Sequence, residues 1–154
     1  MSHDFFKEIK KFNDLYKLEN NSVPTLLPVQ RITQFYDILK EEMEEGVEIA
    51  SKYSKMQDNK GLTVQQESEI LTELADWLGD IIVYCASEGQ RWGIPIPKVL
   101  EVIMSSNFSK LDADGQPIYD HRGKVMKGPN YWRPEEKIMS LIQKSRAKEV
   151  DHEL

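Results

Sequence analysis

Apolar residues recur every three or four positions through most of the chain, while proline and glycine gather in a few short stretches. That periodicity predicts helices joined by turns rather than strands. Phe5, Phe6, Ile9, Phe12 and Leu15 predict an amphipathic helix ending before the Asn20-Asn21-Ser22 turn and Pro24. After Pro28, residues 30–54 contain no proline and one glycine, Gly46. Ile32, Phe35, Ile38, Leu39, Met43, Val47, Ala50 and Tyr53 keep helical spacing there, so this is a first long helix.

Gln57-Asp58-Asn59-Lys60-Gly61 is a polar turn, and Thr63 with Gln66 has the form of a capping box opening a second long helix. Its stripe is Ile70, Leu71, Leu74, Leu78, Ile81, Ile82 and Cys85, and it runs to about Arg91, stopping near Gly93. Pro97 suits the first turn of a third helix with Val99, Leu100, Val102, Ile103 and Phe108. Residues 112–134 are rich in glycine, proline and short polar runs, with a small hairpin expected around Asp120-His121-Arg122-Gly123. Pro134-Glu135-Glu136 opens a last helix, acids at the positive end of its dipole. The fold class expected is therefore all-α, a bundle of about four to five helices with an irregular C-terminal segment.

Length and charge narrow the picture. With 154 residues and 40% hydrophobic content, one core and a single domain over residues 1–154 are expected. The net charge of −6 repels phosphate backbones, which argues against stable nucleic-acid binding. The single cysteine, Cys85, rules out an intramolecular disulfide and points to a cytoplasmic setting. Residues 1–11 mix charges with two phenylalanines, unlike a signal peptide or a membrane span, so no membrane role is expected.

The candidate chemistry lies in the acids of the long helices. On a wheel of about 100° per residue, Glu41, Glu45 and Glu48 fall on one line, while Glu42 lands among Phe35, Ile38 and Ile49 and faces the apolar side. An ionised carboxylate buried there needs a cation or a partner. On its own such a glutamate run is more often a solvated face, which remains the bland reading for Glu44 and Glu48. The second long helix, however, carries Glu73, Asp76 and Asp80 along the edge of its stripe. Antiparallel packing across a short turn would bring both acid lines together as an oxygen-rich site for Mg²⁺, with Mn²⁺ as substitute. A di-iron bundle needs Glu-x-x-His, and His3, His121 and His152 lie outside the long helices. Asp112-Ala113-Asp114-Gly115 places its glycine too early for a calcium loop and is a turn.

Glu41-Glu42-Met43-Glu44-Glu45 has the form E-E-x-x-E, and Glu73-Leu74-Ala75-Asp76 the form E-x-x-D about thirty residues later. With the run Ile103 to Lys110, and then Asp114-Gly115-Gln116-Pro117-Ile118 and the segment Gly123 to Trp132, they resemble the MazG-like all-α NTP pyrophosphohydrolase superfamily, which includes dimeric dUTPases and phosphoribosyl-ATP pyrophosphohydrolases. The resemblance covers residues 29–134 and implies magnesium-dependent hydrolysis of a nucleoside triphosphate to monophosphate and pyrophosphate. It implies that Glu41, Glu42, Glu45, Glu73 and Asp76 hold metal; Asp80 joins them by helical phase alone and is equally placed to be a supporting acid. Within the family's scheme Glu41, Glu42 and Glu45 are the catalytic acids, Glu42 or Glu45 accepting a water proton, and Asn107 and Lys110 meet substrate. Lys124 and Lys127 would neutralise phosphate charge, with Arg122 and Arg133 as helpers.

Two further observations bear on this. Residues 107–133 hold five Lys or Arg against three Asp, a local reversal of the chain's sign that phosphate requires. Ile103, Asn107 and Lys110 share a helix face with Val99, which would bring the amide and ammonium to its inner side, although Lys110 is equally an ordinary helix-end lysine. Tyr131 and Trp132 are placed to stack on a base or, more commonly, to close a core edge. The family and the excess of apolar positions around both long helices imply a homodimer or homotetramer. The alternative is a non-catalytic helical module that binds nucleotide or a protein partner.

Overall fold

The computed structural model describes residues 3–57 and 61–150. The protein is all-α, with five helices among the described residues: α1 His3–Leu15, α2 Gln30–Met56, α3 Val64–Arg91, α4 Ile96–Phe108 and α5 Glu135–Val150. Of the turn expected over residues 57–61, residues 58–60 lie outside the described residues. The chain divides into two compact units, one of Met1–Asn20 with Leu26–Arg91, the other of Asn21–Thr25 with Trp92–Leu154.

In the first unit α2 and α3 run antiparallel. Arg31 meets Glu88, Glu42 meets Trp77 and Lys52 meets Glu73, so residue numbers fall along one helix as they rise along the other. The capping box forms reciprocally: the Thr63 backbone N–H donates to Gln66 Oε1 at 2.9 Å and the Gln66 N–H to Thr63 Oγ1 at 3.2 Å.

Helix α1 closes on Lys17, whose φ of 54° lies in the left-handed region. The Leu18 N–H donates to the Asn13 carbonyl at 2.9 Å and the Lys17 N–H to that of Asp14 at 3.2 Å, the pair of bonds of a Schellman motif. Phe12 and Leu15, expected on the inner stripe, are exposed; Ile9 and Asn13 are the buried pair. Asn13 can be buried because it is satisfied: its Nδ2 donates to the carbonyls of Ser87 (3.1 Å) and Glu19 (3.4 Å), and its Oδ1 accepts from Ser87 Oγ (2.6 Å). A polar latch thus fixes α1 to α3. Beside it, Arg31 Nε reaches both oxygens of Glu88 at 3.0 Å and Nη2 reaches Oε2 at 2.7 Å, a bidentate pair only 10% exposed on each side.

The stripe expected on α3 divides. Ile70 is buried, whereas Leu71, Leu78 and Ile82 are exposed, as are Met43 and Val47 on α2. Two long helices cannot cover each other all round, so the first unit leaves a wide apolar face.

The second unit is built on α4, α5 and the segment between them. Ser106 is buried, with its Oγ donating to the Trp132 carbonyl at 2.9 Å, and Trp132 N–H donates to Ser109 Oγ at 3.2 Å. Trp132 is half-buried under Lys137, whose Nζ lies 3.5 Å from the indole centroid. The expected hairpin is one antiparallel bridge, Tyr119 to Val125, its turn held by Asp120 Oδ1 accepting from the N–H groups of Arg122 and Lys124, both at 2.9 Å. Those bonds hold the Asp120 carboxyl below the usual carboxylate range. Asp112 Oδ1 caps Asp114 and Gln116 in the same way, a turn as expected. Gly93 stands at φ 66°, where a Cβ would fall 1.9 Å from the Val23 carbonyl oxygen.

Candidate active site

Glu42 is the centre of the acidic face of the first unit. The phase of α2 turns it inward, and it is 8% exposed although ionisable. Its position is fixed through its backbone: Trp77 Nε1–H donates to the Glu42 carbonyl oxygen at 2.6 Å. That carbonyl is also the helical acceptor for the N–H of Gly46 by α-helical geometry. The indole can lie so close because Gly46 has no side chain; a Cβ there would stand 2.5 Å from Trp77 Cζ2.

The Tyr84 hydroxyl lies beside the Glu42 carboxyl, while Glu42 Oε2 is buried with no hydrogen-bond partner. Burial raises its proton affinity above that of an ordinary glutamate, and the charges of Glu45, Asp80 and Glu41 raise it further against the opposing influence of the Tyr84 hydroxyl. Tyr84 is also pushed up, first by burial and then by Glu42 and Asp80, so its hydroxyl stays protonated as a donor. An unsatisfied oxygen in a field of like charges is costly unless a proton or cation compensates it.

Glu41, Glu45 and Asp80 thus act on Glu42, and their own side chains are exposed. Glu73 is half-buried and turned to Lys52, with which it forms an ion pair. Asp76 is exposed. Among the described residues no three His, Cys, Asp or Glu side chains are gathered closely enough to hold a metal ion. The oxygens of the expected cage are thus not converged: the charges of Glu45, Asp80 and Glu41 act on the buried Glu42, while Glu73 faces Lys52; mutual repulsion favours long exposed carboxylates turning to water.

Asn107, Lys110, Lys124 and Lys127 belong to the second unit. Lys110 Nζ donates to Asn107 Oδ1 at 2.7 Å, one turn apart at the end of α4, and Asn107 is exposed rather than on an inner face. Gly128 N–H donates to the Lys110 carbonyl at 2.8 Å, tying the glycine-rich tail to the end of α4. Lys124 and Lys127 are exposed, the latter 4.7 Å from the Tyr131 ring centroid.

Four contributors were not singled out from sequence. Tyr84 follows Asp80 by four residues and Glu73 by eleven, so helical phase alone placed it on the acid line. Gly46, a lone glycine inside a long helix, marked a close approach. Trp77 and Lys52 carried no such signal, since either is ordinary on a helix flank.

Neither a protein-family model nor a curated protein matches the chain. Among solved structures it resembles a protein of Exiguobacterium sp. 255-15 whose name, NTP pyrophosphohydrolase, is itself provisional: 20% identity over 96% of this chain and 99% of that one, with a TM-score of 0.50. At that identity the likeness is one of fold.

Proposed function

We propose that this chain is a divalent-metal-dependent nucleoside triphosphate pyrophosphohydrolase of the MazG-like kind, releasing monophosphate and pyrophosphate. The observation that carries the reading is the buried Glu42 carboxylate with an orphaned oxygen among three further acids. The provisional name of the Exiguobacterium protein, which shares the fold, agrees with it.

The donors suit a hard cation: Glu41, Glu42, Glu45, Glu73, Asp76 and Asp80 offer oxygen only, the ligand type of Mg²⁺ and Mn²⁺. Such an ion would neutralise polyphosphate charge and acidify a water. The chain's own part is to supply a proton acceptor, for which the raised proton affinity of Glu42 is the property required. Glu45 is the neighbouring candidate for that role. Tyr84 is the polar neighbour of Glu42, placed to donate to its carboxylate. Glu73 contributes on leaving Lys52. Asn107, Lys110, Lys124 and Lys127 are assigned to phosphate oxygens. The exposed apolar residues of α2 and α3 are assigned to contact between copies, in a homodimer or homotetramer.

A panel of ribo- and deoxyribonucleoside triphosphates with Mg²⁺, read for monophosphate and pyrophosphate together, tests the proposal. Wild type should release both in equal amounts from at least one nucleotide, and Glu42→Gln should lower kcat by about a hundredfold or more. A panel with no turnover would leave a silent binding module, and undiminished turnover in the variant would remove Glu42 from the chemistry.

A further inference from the structure

A cavity of about 310 Å³ lies between α1, α2 and α3, wholly within the first unit. We propose that this slot receives the base of the nucleotide. The inference rests on the nucleotide reading above and adds where the base is held and by which side chains.

Volume is the first argument. The slot is at the small end of the roughly 300–1,000 Å³ range of ligand pockets, so it accommodates a base with its sugar but not a triphosphate as well. The phosphates must lie outside it.

The walls suit a flat, uncharged group. Phe12, Tyr16, Phe35, Ile38 and Val83 line the cavity. The Phe12 and Tyr16 rings stack on one another, 4.4 Å between centroids with 34° between their planes, so an outer face of the stack is the aromatic surface left to a ligand. Such a surface stacks on any base, whose flat face costs little to desolvate.

Charge separates base from phosphate. Two guanidinium groups border the slot, but Arg31 is matched by Glu88 in a bidentate pair and Arg91 by Glu19. With each cation already neutralised, the slot does not draw a polyanion. A neutral ring with polar edges fits both the apolar walls and the ion pairs at the border.

Tyr84 supplies the direction. It lines the slot, and on its other side it neighbours Glu42. A base seated against Tyr84 therefore has the acid line at its near end, where the phosphates of the same molecule would begin.

The test uses the full chain and phosphate-free probes. Adenosine, guanosine, cytidine, uridine, their 2′-deoxy forms and thymidine are titrated without metal, while the methyl resonances of Ile38 and Val83 are followed by NMR. At least one nucleoside should shift both saturably, and Phe35→Ala and Tyr16→Ala should each weaken that binding about tenfold, the loss of one stacking surface. Tyr16 is 66% exposed, so its truncation keeps the fold even if Phe35→Ala does not. In turnover, Tyr16→Ala should raise KM for the matching triphosphate about tenfold with kcat within threefold. No shift with any nucleoside up to its solubility limit, or unchanged binding in Tyr16→Ala, overturns the slot assignment. Pyrophosphate release without nucleoside binding sinks the slot and leaves the hydrolase reading; nucleoside binding without release from any triphosphate does the reverse.

Discussion

Gly46→Ala is the sharpest test of how Glu42 is held in place. The added methyl would lie 2.5, 2.9 and 3.0 Å from Trp77 Cζ2, Cη2 and Cε2. Carbon atoms prefer about 3.5–4.0 Å, so the ring must withdraw by about 1 Å. It cannot do so and also keep its 2.6 Å bond to the Glu42 carbonyl. Overpacking of this kind costs about 1–3 kcal/mol, and the weakened hydrogen bond about 1 kcal/mol more. Alanine returns about 1 kcal/mol through helix propensity. The net expectation is a loss of about 2 kcal/mol, or about 4–8 °C in Tm for a chain of this size. Thermal unfolding followed by far-ultraviolet circular dichroism and indole fluorescence reads it. In a Trp77→Phe background, where the benzo ring is gone, the same substitution should stabilise, giving a coupling of more than about 1 kcal/mol. A Gly46→Ala protein as stable as wild type, with additive behaviour in the double variant, would refute the packing of the indole on this glycine.

Three further perturbations probe the same unit. Arg31→Met removes the bidentate cation from the buried Glu88 carboxylate and should cost about 3–5 kcal/mol in urea unfolding; a loss under 1 kcal/mol would mean the bidentate pair is not formed. Lys17→Gly relieves a left-handed lysine and should raise stability by about 0.5–1 kcal/mol, measured in the same titration, whereas a loss would place the helix end elsewhere. Glu42→Gln should flatten the pH dependence of metal-free stability: with proton affinity raised in the folded state, wild type is favoured at low pH and loses that advantage as pH rises from the ordinary carboxylate range through the raised value. The variant's advantage should therefore grow with pH in EDTA, and an advantage that shrinks with pH would reverse the assignment.

The helices were legible because each had punctuation as well as period. Thr63 and Gln66 marked the start of α3, Pro28 the start of α2, and Pro134 with two acids the start of α5, within a residue or two of the observed ends. The inward turn of Glu42 followed from the wheel as well. Burial was less legible. On α1 an asparagine replaced the expected phenylalanine and leucine at the core, because Ser87, far along the chain, satisfies it. On α3 a continuous stripe could not say which residues face α2 and which remain uncovered. The acids of both motifs were visible, yet Glu73 has a lysine partner from the other helix, and only tertiary packing sets such a pairing. The division into two compact units left no mark in composition, since the Asn21–Thr25 segment joins the later helices only through contacts such as Thr25 N–H to the Trp92 carbonyl at 2.9 Å.

The central claim is that the acid line around Glu42 gathers on a hard divalent ion. Electron paramagnetic resonance of Mn²⁺ titrated with the 154-residue chain measures this without any nucleotide or turnover. The account predicts saturable loss of the free-ion signal with wild type and at least about tenfold weaker binding with Glu42→Gln and with Asp80→Asn. Equal Mn²⁺ affinity in all three proteins, or none in wild type, would contradict it.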